Sequence, residues 1–320
     1  MTSTTRYTDR SAARRTLRRE VPSTAAVLAD ERDFAAMRRY RTFPFDDHRS
    51  YLQQMETLLR TLTAEGVLTT LSLFDPAAYE EYCADHDLDP DHPDSRTRYT
   101  AELACTGPTL TYAGEPLTQL LPLLVEEADR RATWNQASAL LARAGHCEDC
   151  GTDLGHAAFA RATDALQQLL DALGNGTHHL VCSIPAGDPP LLAVLHTTAG
   201  DSGRPQLSES ETLIFCTVLA AGLALRTPGG IVARTMTAGP TDTGDPTNTG
   251  GAADITDAAL RSTVRGWSLR DAWPCPLTEA EVFTAYCTDA DTGEPIAPEH
   301  GVDYAPGLAL TPPPDEHRHR

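Results

Sequence analysis

The chain has 320 residues, 41% of them apolar and 6% aromatic, and carries a formal net charge of −19. That is enough apolar surface for one large or two ordinary cores, so a wholly disordered chain is excluded. All 26 basic residues are Arg. Without a lysine, PLP Schiff-base chemistry, P-loop phosphate transfer and protein-kinase chemistry have no candidate residue.

The charge is unevenly spread. Residues 1–50 hold 11 Arg against seven carboxylates, whereas residues 51–320 hold 15 Arg against 38. So acidic a body repels phosphate backbones, which argues against nucleic acid as a partner. No apolar run reaches membrane-spanning length, and the N-terminus lacks the apolar core of a secretory signal. Eight cysteines without dense spacing suit a reducing compartment, and the expected location is the cytoplasm.

Residues 1–24, with six Arg among Ser, Thr and Ala, read as a disordered arm. An α/β domain is expected over 25–144. It opens with a short helix over Ala29–Met37 and a strand over Arg38–Phe45. Asp46 and Asp47 then cap a helix whose Tyr51, Leu52, Met55, Leu58, Leu59 and Leu62 share one face, and Gly66 ends it. Val67–Phe74 is apolar on both faces, as a strand of a covered parallel sheet would be. Asp75-Pro76 is a helix start, a further helix opens at Ser95, and Leu117–Ala144 is the longest helical pattern.

The stretch Gly145–His156, GHCEDCGTDLGH, is a junction between two long helices. Beyond it an α+β domain is expected over 157–310, in the order helix, hairpin, helix, strand. The hairpin pairs His178–Ile184 with Leu191–Thr198. Ser208 with Glu211, and Thr278 with Glu281, have capping-box spacing. Residues 238–257 form a Gly/Thr/Asp/Pro linker and 311–320 a disordered tail. The element order has a roadblock- or GAF-like topology, an analogy of order alone.

Several phrases carry a resemblance: YRTFPFDDHRSYL, SLFDPAAYEEYCAD, HCEDCG, THHLVCSIP and EVFTAYCTDADTGEP. Together they resemble uncharacterised proteins of streptomycete-type actinobacteria over most of residues 30–305. The resemblance implies an actinobacterial origin and a cytoplasmic protein with no assigned activity.

Two constellations have chemistry to offer. Cys147 and Cys150, backed by Gly151, are half of a tetrahedral Zn²⁺ site. His178 and Cys182 share a strand face and complete the set, with His156 as a substitute, while His179 points away. Redox duty for the pair is disfavoured, since Glu148 and Asp149 would raise the thiol pKa values. The second constellation is acidic. Asp46, Asp47 and Asp75 follow two expected strands and would meet at a sheet's carboxyl edge, where they would hold Mg²⁺ for phosphate-ester chemistry. Each also stands where a helix N-cap belongs.

The favoured function is a non-enzymatic, zinc-stabilised regulatory or adaptor protein binding a protein partner or a small molecule. The alternative is a metal-dependent phosphoesterase or nucleotide-processing enzyme using the acidic edge.

Overall fold

The computed structural model describes residues 23–187, 189–200, 205–238, 260–289 and 292–313. The arm expected before Ser23, the linker over 239–257 and the tail from 314 lie outside them. The chain divides into two compact units, Met1–Arg131 and Ala132–Arg320. Both contain helices and strands, in line with an α/β part followed by an α+β part.

Unit 1 is built on a three-stranded sheet of order β1-β2-β3. Strand β1 (Ser23–Val27) runs parallel to β2 (Thr69–Leu73), and β3 (Leu110–Tyr112) runs antiparallel to β2. Helices α1 (Glu31–Met37) and α2 (His48–Ala64) make the crossover between the parallel pair, which right-handed βαβ logic requires of any parallel neighbour. Helices α3 (Pro76–Asp85) and α4 (Pro93–Thr106) follow β2. β2 is the buried strand: Leu71 is fully enclosed, with Thr69 and Ser72 beside it.

Two expectations need correction here. Arg38–Phe45 is not a strand but a succession of turns, and β1 lies instead at Ser23–Val27, where the disordered arm was expected to end. The tyrosine and phenylalanines that suggested a strand serve the core as rings. Phe43 packs edge-on to Phe34 with centroids 5.6 Å apart and Tyr40 edge-on to Tyr79 at 5.9 Å.

The unit boundary falls within α5 (Leu117–Ala142). Pro122 sits inside this helix, where the fourth residue before it loses its amide donor.

Unit 2 runs α6 (Leu154–Leu173), β4 (Thr177–Ile184), β5 (Leu191–Thr198), β6 (Gln206–Leu207), α7 (Glu209–Leu225) and β7 (Gly230–Ala238). Then come β8 (Leu260–Arg270), β9 (Trp273–Pro276), α8 (Glu279–Tyr286) and β10 (Val302–Tyr304). Its seven-stranded sheet has the order β10-β8-β7-β4-β5-β6, with β9 paired to β8. The expected hairpin is present with both strands in the expected place, His178 opposite Thr197 and Ile184 opposite Leu191.

One face of β4 and β5 is closed by α7, which in turn carries α6. Nine consecutive residues of α7, Phe215–Leu223, are buried, so this helix has no solvent stripe. Gly222 lets the helix approach closely there: a Cβ would lie 2.5 Å from Ile184 Cδ1 and 2.9 Å from Leu269 Cδ1, so those methyls would have to shift. Among the described residues no helix is long and apolar enough to cross a membrane.

Candidate functional site

The acidic edge exists, though with different members. The aspartates that follow the parallel strands are Asp30, after β1, and Asp75, after β2. Asp30 accepts the Asp33 N–H at 2.8 Å and caps α1. Asp75 accepts the Ala77 and Ala78 N–H groups at 2.8 and 3.2 Å and caps α3, with Pro76 at the first helical position. Burial, then the charges of Asp30 and Asp75, push the Asp33 carboxyl above its ordinary value.

Asp47 caps α2 through the Ser50 N–H at 2.8 Å, and that amide bond holds its pKa down. Asp46 is exposed, in the bend before α2, and no strand precedes it. The structure therefore does not place Asp46 and Asp47 at the carboxyl end of a strand. Two of the three expected ligands spend their carboxylates on helix amides that have no other intrahelical partner.

The four expected zinc ligands are not brought together. Among the described residues no group of three or more His, Cys, Asp and Glu side chains is placed to hold a metal ion. His178 and Cys182 do share the inner face of β4, as strand alternation requires, but both are sealed inside unit 2. The His178 ring is satisfied at both nitrogens: Nδ1 lies 3.0 Å from Thr235 Oγ1 and Nε2 3.0 Å from the Gly174 carbonyl. Cys182 belongs to the apolar core, and burial pushes its thiol pKa far up, so a thiolate is strongly disfavoured there. His156 is exposed in the first turn of α6.

Cys147 and Cys150 lie in a closed turn between α5 and α6. Gly145, at φ +76°, takes the chain out of α5, and His146 bridges Asp153 in antiparallel fashion. The Cys147 N–H donates to the Thr152 carbonyl and the Gly151 N–H to the Cys147 carbonyl, both at 2.8 Å. Gly151 has φ +71°, which is why glycine follows the second cysteine. Leu154 N–H returns to the Gly145 carbonyl at 3.0 Å, and Asp153 caps α6 through the His156 N–H at 2.7 Å.

The turn makes its two thiols unequal. Cys147 is buried and Cys150 is exposed. The Cys150 thiol reaches Thr152 Oγ1 at 3.2 Å. The Thr152 side chain first, then its backbone amide and the Cys147 thiol, hold the Cys150 pKa below the ordinary thiol value. Asp149 opposes them as the weakest influence. At Cys150, hydrogen bonds at contact distance outweigh the exposed, solvated Asp149 carboxylate.

A third feature escaped sequence reasoning. On the outer face of the sheet, His179 and His196 are direct cross-strand partners with rings stacked at 4.7 Å and 8°. The Glu211 carboxylate accepts the His196 backbone N–H at 2.8 Å and lies 3.4 Å from its Nδ1. Arg234, opposite His179 on β7, is held by Glu299 at 2.7 and 3.0 Å. The outward direction of His179 was the available signal; its partner 17 residues later was not.

The same contacts define the sheet's edge. Since the His196 N–H is taken from outside the β4 ladder, alternation puts the N–H and C=O groups of Leu192, Val194 and His196 on the outer edge of β5. Among the described residues, β6 covers that edge only opposite Thr197 and Thr198. Leu192 is 52% exposed.

Residues 12–115 match the family model of a domain of unknown function, DUF8829. This likeness covers most of unit 1 and none of unit 2. It supports similarity to an uncharacterised family with no assigned activity. No curated protein and no solved structure matches the chain.

Proposed function

We propose that the chain is a non-enzymatic regulatory or adaptor protein whose second unit takes an extended strand of a partner protein along β5. The observation that carries this reading is the edge of β5: backbone donors and acceptors at Leu192 and Val194, beside an exposed leucine, with no charged residue in the strand. Such an edge is a template for strand addition. The excess of carboxylates over Arg beyond residue 50 favours a basic partner segment. Cytoplasmic residence and an actinobacterial origin belong to the same proposal and rest on composition and on the phrases quoted above.

No specific observation favours the phosphoesterase alternative, since Asp47 and Asp75 are committed to helix N-termini. The test is a photo-crosslinking residue in place of Leu192, in cells. The reading expects a covalent adduct to a second protein, weakened by salt and lost when Val194→Pro removes an edge donor. An adduct indifferent to Val194→Pro, or one formed only with another copy of this chain, overturns it.

A further inference from the structure

We propose that Cys147 and Cys150 form a reversible intramolecular disulfide by thiol–disulfide exchange with low-molecular-weight disulfides, Cys150 being the attacking sulfur and Cys147 the resolving one. This goes beyond the adaptor reading and does not depend on it.

The geometry comes first. Three backbone hydrogen bonds, two of which make up the His146–Asp153 bridge, hold closed the turn that carries both cysteines. The Gly151 N–H to Cys147 carbonyl bond closes the chain around the pair, so the two cysteines stand three residues apart on one tight turn. Only Cys150 is open to solvent, so an incoming disulfide meets that sulfur and not its buried partner. Thr152 stands beside the attacking sulfur: its hydroxyl, which accepts from the thiol at 3.2 Å, can rotate to donate to a thiolate. The other turn residues, Glu148 and Asp149, are exposed and leave the approach open.

The step balances as follows. The Cys150 thiolate attacks one sulfur of a disulfide RSSR, forming a Cys150–S–S–R bond and releasing RS⁻. Cys147 then gives its proton to solvent and attacks the Cys150 sulfur, forming Cys147–S–S–Cys150 and releasing a second RS⁻. Two protein thiols are oxidised by two electrons and one RSSR becomes two RSH. A dithiol reverses the sequence.

Each half of the pair has a distinct signature under substitution. Without Cys147 the mixed disulfide has no resolving thiol and accumulates. Without Cys150 the buried Cys147 is left alone and nothing forms. A metal held by the pair would instead shield both thiols from reaction.

The experiment uses the full chain, first reduced, then equilibrated across glutathione/glutathione-disulfide buffers, with each cysteine read by differential alkylation and mass spectrometry. Cys105, exposed in α4, is the internal standard. At pH 7, Cys150 is expected to alkylate faster than Cys105, because the Thr152 hydroxyl lies within hydrogen-bond reach of its sulfur. Thr152→Val should erase most of that advantage. Wild type should form the 147–150 disulfide without accumulating glutathionylated Cys150, whereas Cys147→Ser should trap that adduct and Cys150→Ser should form neither.

Equal alkylation of Cys150 and Cys105 overturns the proposal. So does failure to form the 147–150 bond at any buffer ratio, or stoichiometric zinc that protects both thiols in the purified protein.

Discussion

The two units solve the burial problem with different chemistry. Unit 1 encloses rings: Phe34, Tyr40, Tyr51, Phe74, Tyr79, Tyr99 and Tyr112 are all buried, and seven of its ring contacts involve Tyr51 or Tyr79. Unit 2 is mainly aliphatic inside, with α7 contributing Val218, Leu219, Ala220, Ala221 and Leu223 around Phe215, and its two buried indoles, Trp267 and Trp273, donate to the Leu308 and Leu310 carbonyls. An aliphatic core makes no demand for hydrogen-bond partners but is sensitive to volume and shape, since both gaps and overpacking cost stability. A tyrosine core also carries hydroxyls inside, some paired and some not: those of Tyr40 and Tyr112 are buried without a hydrogen-bond partner among the described residues. In unit 1 the Tyr51 hydroxyl accepts the Leu28 N–H at 3.2 Å, and Tyr79 donates to the Pro90 carbonyl at 2.8 Å. Burial pushes the Tyr51 pKa up to about 12, so the group stays neutral. The contrast is between a unit sensitive to shape and one sensitive to hydrogen-bond pairing.

The strongest way to break this contrast is to empty the aliphatic core. Phe215→Ala should destabilise unit 2 by about 3–5 kcal/mol, read from denaturant midpoints. The amides of β2 report on unit 1 in hydrogen exchange under the same conditions. A loss below ~1 kcal/mol would mean that unit 2 does not depend on the packing of α7.

In unit 1 the informative change removes one oxygen. Tyr51→Phe keeps the ring and leaves the Leu28 N–H without its hydroxyl acceptor, which should cost roughly 1–3 kcal/mol. A neutral result by chemical denaturation would put unit 1 in the same class as unit 2.

Caps sharpen the comparison further. Asp75→Ala should cost on the order of 1 kcal/mol, while Asp75→Asn should cost only a few tenths, because Asn accepts from the same amides. If Asp75 were instead a Mg²⁺ ligand, Mg²⁺ would raise Tm in wild type and lose that effect in the Asn variant.

The smallest expected effect is one of pH, and it belongs to unit 2. Burial first, then the charges of His196 and Arg234, lower the His179 pKa below 6.5, with Glu211 opposing. A histidine whose folded pKa is depressed is protonated first in the unfolded state, so it removes stability as pH falls below 6.5 and leaves it intact above. Thermal melts between pH 7.5 and 5 should therefore fall less steeply in His179→Gln than in wild type. Parallel slopes would remove the stacked pair from the account.

Much of the fold was legible where a local pattern and its tertiary use coincide. The stripe Tyr51 to Leu62 gave α2, the two-sided run gave β2, and the alternation of the hairpin gave β4 and β5. The Thr278–Glu281 box closes as its spacing implies. Ser208–Glu211 shows where locality ends. Ser208 does cap α7, but the Glu211 carboxylate turns instead to the unpaired amide of His196, a partner only the folded sheet supplies. β1 was illegible because Ser-Thr-Ala-Ala-Val has little strand character of its own and gains it from pairing with β2.

The candidate site was legible in part for the same reason. Sequence shows that Cys147 and Cys150 are close and that glycine backs them. Which thiol is buried, and that Thr152 rather than Asp149 sets the character of Cys150, are facts of the folded turn. The zinc set failed on a different count. Alternation correctly put His178 and Cys182 on one face, but that face is the core side, where the histidine already has two partners.

The buried stretch Phe215–Leu223 of α7 has a consequence for how the chain is made. Its main packing surfaces, α6, β4 and β5, all precede it in sequence. During N-to-C synthesis the helix therefore leaves the ribosome after the elements that cover it, and its nine buried residues can dock as they emerge. Moving α7 ahead of the hairpin by circular permutation would reverse that order and leave this buried stretch waiting for its cover.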